Sequence, residues 1–409
     1  MFFHVDVNSA YLSWEASYRL QKGQELDIRT IPSAIGGDPE KRRGIVLAKS
    51  IPAKAYGIKT GETLSSAFSK CQSLYVVAPN FSLYKKCSQA LQEVLRSYSH
   101  RVQQFSIDES FLDMGDLEDP LATAESLRKE VERSLGFTVN VGVGPNKLLA
   151  KMASDFEKPN KVHSLFYEEI ESKMWPLPVG ELFMVGRRTQ EKLRPMGIET
   201  IGDLAQTRED ILYQAFKSQG LVIHQYAKGK EYSSISSYSP FEAKGVGNST
   251  TLPRDIDSKD QLELYLLGIS EMVSFRLRAI DKMAYVISVH YRDNLMKRKR
   301  LQRKLTAPLD ATQSIFIQAK KLFTELWQGE AIGQIGISLS QLTDNNYYEQ
   351  SFLDQDQDKL RRVDATIDEL REKYGKDVIK RASFLHAPVE PMIGGVGEDK
   401  DELILNSKL

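Results

Sequence analysis

Cysteine is nearly missing from this chain: Cys71 and Cys87 are the only two in 409 residues. Two thiols cannot build a disulfide framework, and without nearby partners they cannot build a thiolate zinc site. A reducing, cytoplasmic setting is the expectation that follows, with both thiols buried or inert. The six histidines show no metal-ligand spacing. Long apolar runs are lacking as well; none approaches the roughly 20 residues that span a bilayer, so no membrane association is expected. The opening MFFHVDVNSAYLSWE meets an acid at Asp6 and has no basic leader, so it does not read as a signal peptide. Net charge is also absent, with 55 basic against 55 acidic residues, a balance that by itself argues weakly against nucleic-acid binding. Distribution reverses that argument. Basic residues crowd into RDNLMKRKRLQRK, from Arg292 to Lys304, while Asp354 to Asp358 and the final GEDKDELILNSKL lean acidic.

A chain this long exceeds one hydrophobic core, so several domains are expected. FFHVDV is short, apolar and branched, and reads as a strand; Ser9 then caps a helix carrying Tyr11, Leu12, Trp14, Ala16 and Leu20. A glycine- and proline-rich stretch follows, and the regular pattern resumes at LYVVAP. Beyond it come a helix from Ser82 to Ser99, strands Val102 to Ile107 and Phe111 to Met114, a helix from Leu121 to Ser134, a strand from Phe137 to Val143 and a helix from Asn146. This is an α+β pattern, a sheet domain interrupted by a small insertion. Residues 176–235 show only short helical runs, and a serine-rich linker, 236–243, separates them from the next unit.

Residues 244–345 read as βαββαβ, a ferredoxin-like arrangement of four strands under two helices. One sheet face is then bare. With side chains alternating along a strand, Leu301 and Leu305 turn to the core while Arg298, Arg300, Gln302 and Lys304 turn out. In the neighbouring strand Tyr285, Ile287 and Val289 go inward, leaving Ser288, His290 and Arg292 outward. Such a face suits a phosphate backbone. A solvated surface whose charges oppose aggregation is the other reading of the same residues.

Asp6 lies at the end of the first strand, and Asp108 with Glu109 sits in SIDES, between two strands of the same sheet. If those strands are neighbours, three carboxylates converge. Their mutual repulsion is relieved by divalent cations, and a pair of such ions activates an attacking hydroxyl and neutralises a leaving pyrophosphate. Taken alone, an Asp near the N-terminus and an Asp-Glu pair in a hairpin are common and favour a structural role.

DVNSAY, SIDESFLD, VGPNKLLAKMASDFEKPN and VGRRTQEKLRPMGI, in this order and spacing, resemble the Y family of translesion DNA polymerases, in its bacterial UmuC and DinB branches. The resemblance covers about residues 1 to 345. It implies a right-hand polymerase with a ferredoxin-like palm (1–12 and 76–175), inserted fingers (13–75), a helical thumb (176–235), a βαββαβ little finger (244–345) and a C-terminal clamp-binding segment, helix and flexible tail (346–409). It implies error-prone, template-directed transfer of a dNTP to a primer 3′-OH. Asp6, Asp108, Glu109 and the carbonyl of Val7 become ligands of two Mg²⁺ ions, with Mn²⁺ as a substitute. Tyr11 falls where the family places an aromatic steric gate that excludes ribonucleotides. Ala10, Leu47 and Ala48 border the nucleotide, the last two roofing the nascent base pair, and Lys54 and Lys158 fall where cations meet the triphosphate. Ile51 and Lys54 stand where many relatives carry Tyr and Arg, so a bidentate grip is not implied.

Within the thumb, Gly186, Arg187, Arg188 and Thr189 resemble a helix-hairpin-helix turn that receives a DNA phosphate, with Met184 in place of the usual first glycine. Arg292, Arg298, Arg300 and Lys304 are the DNA contacts expected on the little finger. Gln350, Phe352 and Leu353 form an altered version of the peptide by which relatives dock on the sliding clamp. The implied partners are primer-template DNA, dNTP and the clamp; accessory subunits or a recombinase filament stay open. Two rivals also remain, a nucleotidyl cyclase on the same palm and a non-catalytic DNA- or clamp-binding scaffold.

Overall fold

FFHVDV alternates, with Phe3, Val5 and Val7 on one face of the strand and Phe2, His4 and Asp6 on the other. In the computed structural model, which describes residues 1–37, 44–235, 243–345, 355–375, 377–385, 387 and 389–393, Phe3, His4 and Val5 are all fully buried. The chain forms two compact units, one built on residues 1–36, 46–77 and 83–240 and the other mainly on residues from 241 onward.

The first unit begins with β1 (Phe2–Val7), α1 (Ala10–Gln21), β2 (Ser33–Gly36), β3 (Val46–Lys49), α2 (Ile51–Ala55), α3 (Leu64–Lys70) and β4 (Tyr75–Val77). It continues with α4 (Phe81–Tyr98), β5 (Val102–Gln104), β6 (Glu109–Asp113), α5 (Pro120–Leu135), β7 (Val139–Gly144), α6 (Lys147–Asp155) and β8 (Val162–Ser164). Four short helices, α7 (Arg187–Leu193), α8 (Ile201–Gln206), α9 (Glu209–Phe216) and α10 (Ser218–Ala227), follow.

Five strands form one sheet in the order β5-β6-β1-β7-β8. The central β1 runs antiparallel to both β6 and β7, with Asp6 opposite Glu109 on one side and Asn140 on the other. Glycines in VNVGVG let α6 lie directly on this sheet. A Cβ at Gly142 would come within 2.0 Å of the Ala150 carbonyl oxygen, and one at Gly144 within 2.6 Å of the Ala150 nitrogen. Close packing here fixes where α6 carries Lys151 and Asp155 relative to the strand ends. The inner face of α6 also belongs to the core of the helical segment, where Leu148, Leu149 and Met152 pack with Ile201, Leu204, Leu212 and Ile223.

The stretch expected to be loop has more order than glycine and proline content suggests. It forms a three-stranded sheet, β3-β2-β4, with α2 and α3 closing a small core of Ala34, Val46, Ala53, Ile58, Leu64 and Ala67. Ser50 and Thr63 cap α2 and α3, each accepting a bond from the backbone N–H three residues on. LYVVAP therefore does not resume the larger sheet: Tyr75–Val77 pairs in parallel with Ser33–Ile35. Ser9 occupies the cap position of α1 in a left-handed conformation, and its side chain makes no cap bond, contrary to the sequence reading.

The second unit comprises β9 (Gly245–Ile256), α11 (Lys259–Arg278), β10 (Lys282–Asp293), β11 (Arg298–Leu309), α12 (Thr312–Leu326), β12 (Ile332–Asp344) and α13 (Gln355–Tyr374). The element order is βαββαβ as expected. The strand order is β11-β10-β12-β9, so the first and third strands take the edges and the last lies between the first and second, an order that departs from the ferredoxin-like one. Leu301 and Leu305 pack against the core with Ile287 and Val289. The β10–β11 register breaks between Ala284 and Val286, and Ala284 takes the core position assigned to Tyr285.

Residues after Pro388 look too polar and glycine-rich to pack, yet Val389, Met392 and Ile393 are buried. Met392 packs with Met272 and Phe275 of α11, and Ile393 lies over Gly268. Charges fix this layer: Arg278 reaches Asp364 and Asp368 on α13, while Glu271, 3 % exposed, takes Arg371 at 3.3 Å and Arg381 at 2.8 Å.

Candidate active site

Register brings the acids together. Asp6 is the cross-strand partner of Glu109, and the Val7 N–H donates to the Asp108 carbonyl oxygen at 3.1 Å, so all three acids and Val7 lie on adjacent ends of β1 and β6. Each carboxylate has its own partner. The Lys158 ammonium bonds Asp6 and also Asp155, the latter at 2.8 Å. Lys151 reaches Glu109 at 3.3 Å, and the His4 ring faces the same carboxylate at 3.7 Å. Asp108 accepts from the Ser106 hydroxyl at 2.6 Å.

Burial raises the Asp6 pKa although the Lys158 charge opposes it. The His4 edge and the Lys151 ammonium hold Glu109 down at about 2, against the burial that would raise it. Burial lowers His4 itself, whose Nδ1 engages the Ser154 hydroxyl at 2.8 Å. Among the described residues, no three acidic, imidazole or thiolate groups close to within reach of one metal ion, and these carboxylates are engaged by the lysines and Ser106. The donor chemistry nonetheless fits a divalent cation. Every candidate ligand is a hard oxygen, and lysine ammoniums supply the positive charge at Asp6 and Glu109.

Two clefts meet above these strand ends. One, of about 270 Å³, is lined by Tyr11, Ala10, Leu47, Ala48, Thr60 and Asp108. The other, of about 300 Å³, holds Lys54 and Lys158 with Asn8, Arg29 and Ser50. Val7, Ser9 and Lys49 line both. Tyr11 lies flat against fully buried Tyr84, with ring centroids 4.7 Å apart and planes 11° from parallel. Burial and the Asp108 charge both raise its phenol pKa.

Lys158 is placed by a pair of asparagines. Asn8 Nδ2 donates to Asn140 Oδ1 at 3.0 Å, and Asn140 Nδ2 donates to the Ser154 and Glu157 carbonyls at 3.0 and 2.7 Å. The Asn160 N–H closes the frame on Asn8 Oδ1 at 2.9 Å. Sequence reasoning missed this frame, along with Tyr84 and Lys49. Lys49 was findable, since the two-residue period of VLAK places it on the face of Leu47; the asparagines carried no local signal.

Among the expected DNA contacts, Gly186 is the cap residue of α7, whose first turn carries Arg187, Arg188 and Thr189. Arg187 is engaged in an exposed pair with Glu191. Met184 adopts φ +73°, the left-handed conformation for which glycine is ordinarily kept. On the second unit Arg298, Arg300 and Lys304 stand opposite Arg292, His290 and Val286 on the bare sheet face, and Arg300 Nε donates to Ser288 Oγ at 2.7 Å. Gln350, Phe352 and Leu353, and the linker residues 236–242, lie outside the described residues. No helix among the described residues is long and apolar enough to cross a membrane.

Comparison with known proteins completes the picture. Residues 5–155 match the impB/mucB/samB family, residues 243–352 its C-terminal domain and residues 167–198 the IMS family HHH motif. A relative from Clostridium acetobutylicum, described as DNA polymerase IV, is 42% identical over 387 residues, covering 94% of this chain and 98% of its own. Bacillus subtilis DNA polymerase IV 2 is 34% identical, covering 94% of each chain. Among solved structures, a Y-family DNA polymerase chimera of Dbh and Dpo4 superposes with a TM-score of 0.74 at 20% identity, covering 84% of this chain and 99% of its own, which speaks to the fold. The chain belongs to the impB/mucB/samB family and is a bacterial, DinB-type member of the Y family of DNA polymerases.

Proposed function

We infer that this chain is a translesion DNA polymerase that joins a dNTP to a primer 3′-OH under direction of a template, and that Asp6, Asp108, Glu109 and the Val7 carbonyl hold two Mg²⁺ ions. The observation that carries this reading is the placement of Asp108 and Tyr11 in one cleft, with Asp6 and Glu109, cross-strand partners, next in sequence to its lining residues Val7 and Asp108. Divalent ions bound there supply charge neutralisation and a hydroxyl of lowered pKa. The chain's own groups do the rest. Tyr11, braced by Tyr84, lies under the sugar and collides with a 2′-hydroxyl. Lys54 and Lys158 take the triphosphate, Lys158 exchanging its carboxylate partners for phosphate oxygens. Leu47 and Ala48 cover the base pair loosely, so damaged bases are admitted.

In this reading residues 1–12 and 76–175 serve as palm, 13–75 as fingers, 176–235 as thumb and 244–345 as little finger. The α7 turn and the Arg292, Arg298, Arg300 and Lys304 face grip DNA phosphates, and the 346–409 segment docks on a sliding clamp through Gln350, Phe352 and Leu353. Cytoplasmic residence fits that work. A cyclase would have no use for a basic sheet face or a helix-hairpin-helix, and a scaffold would have no use for the acids. Primer extension with Mg²⁺ on undamaged and abasic templates tests the reading. Extension past the abasic site is expected, and cyclic nucleotide in place of extended primer would overturn it.

A further inference from the structure

Four cations line the cleft that holds Lys54: Arg29, Lys49, Lys54 and Lys158. Two of them are committed. Arg29 makes a forked pair with Asp27, and Lys158 is shared between Asp6 and Asp155. Lys49 and Lys54 form no ion pair with any described carboxylate. The Lys49 ammonium donates to a neutral group, the Thr60 hydroxyl, at 3.2 Å. Glu62, the acid whose field reaches Lys49, is taken by Lys70, Ser66 and the Lys59 N–H. Burial and the charge of Lys54 both lower the Lys49 pKa, so the two ammoniums oppose each other across the same half-closed space. Like charges in such a space are costly until an anion joins them. Lys49 is also, with Val7 and Ser9, one of three residues common to both clefts, and it stands where the Tyr11 side opens into the Lys54 side.

We propose that Lys49 is a phosphate-binding residue that forms a two-point bracket with Lys54 around the polyphosphate of the incoming nucleotide. A single ammonium is a point charge and cannot make the forked, two-bond grip of a guanidinium. A lysine on β3 and another on α2 supply two points from two elements. This rests on the reading that the cleft receives a dNTP.

The test is single-nucleotide incorporation on primed DNA by the full chain, comparing wild type, Lys49→Ala and Lys49→Arg with each of the four dNTPs, and with inorganic tripolyphosphate as a competing probe. Lys49→Ala is expected to raise KM for every dNTP about tenfold with kcat within about twofold, which is the pattern of lost uniform binding. The inhibition constant for tripolyphosphate should rise in parallel, and Lys49→Arg should restore both. Wild-type extension with an unchanged KM in Lys49→Ala overturns the proposal alone. So does a KM change confined to one base, which would assign Lys49 to base contact, or an unchanged tripolyphosphate constant. A wild-type chain that extends no primer overturns the polymerase reading and this proposal together.

Discussion

Tyr11 and Tyr84 lie face to face, 4.7 Å between centroids and 11° from parallel, so the ring on the floor of the cleft rests on one that is wholly buried. Tyr11 is therefore backed by a side chain that cannot move aside. Replacing it by alanine is expected to lower selection for deoxynucleotides about a hundredfold, or about 3 kcal/mol. Tyr84→Leu, which keeps bulk but removes the flat support, should lower it by about tenfold. Competition between dNTP and rNTP measures both, and unchanged sugar selectivity in Tyr11→Ala removes the gate role.

Asp108 is the acid that lines the Tyr11 cleft, and its carboxylate accepts from the Ser106 hydroxyl within its own turn. Asp108→Ala should lower incorporation at least about a thousandfold, as expected when a group that organises transition-state charge is lost. Binding to primer-template DNA, followed by fluorescence anisotropy, should persist. Robust incorporation by a clean preparation would refute the metal assignment.

Asn140 is fully buried and bonds both Asn8 and the carbonyls that shape the turn before Lys158. Alanine there leaves several buried polar groups unpaired and should cost about 2 to 3 kcal/mol of stability. With Lys158 no longer fixed, KM for dNTP should rise several-fold, more than kcat falls. A variant equally unstable but with wild-type KM would show that the asparagine frame serves folding alone.

Glu271 joins Arg371 and Arg381 within the second unit, at 3 %, 5 % and 29 % side-chain exposure. Removing it leaves a buried guanidinium without its counter-charge, and Glu271→Ala should destabilise that unit by about 3 kcal/mol. Denaturant unfolding would measure this. A loss under about 0.5 kcal/mol, the range of ordinary surface substitutions, would mean that apolar contacts alone seat the C-terminal layer.

Glu330, in the second unit, supplies a pH test. Burial would raise its pKa, but bonds from Lys299 and from the Tyr291 hydroxyl outweigh burial and hold it at about 2, below the usual 4.5. A depressed carboxylate stabilises the fold fully above its unfolded pKa and loses that contribution as pH falls through the folded one. Stability of the second unit should therefore decline between about pH 4.5 and pH 2, and Glu330→Gln should flatten that part of the profile. An identical slope in the variant would assign the decline to other groups.

What was legible in the sequence was mostly local. The period-two alternation of RKRLQRKL was enough to put Arg298, Arg300 and Lys304 on one face and Leu301 and Leu305 on the other, and the register agrees. Tyr285 escaped because the β10–β11 pairing breaks register there, two steps from Ala284 to Val286 facing five from Lys304 to Leu309, which no single-strand pattern records. The small sheet of β2, β3 and β4 escaped because its strands are three or four residues long and one pairing is parallel across 41 intervening positions.

The sequence by itself singled out the residues proposed to carry the chemistry, since Asp6, Asp108, Glu109 and Tyr11 stand in motifs whose spacing is set along the chain. Only the tertiary structure decided that Lys158 and Lys151 hold two of those acids, that two asparagines 132 positions apart frame the lysine turn, and that Met392 and Ile393 belong to a core. The reason is physical. Side-chain type and period act over a few residues, whereas which ammonium meets which carboxylate depends on how closely α6 lies on Gly142 and Gly144, and that distance is set by packing.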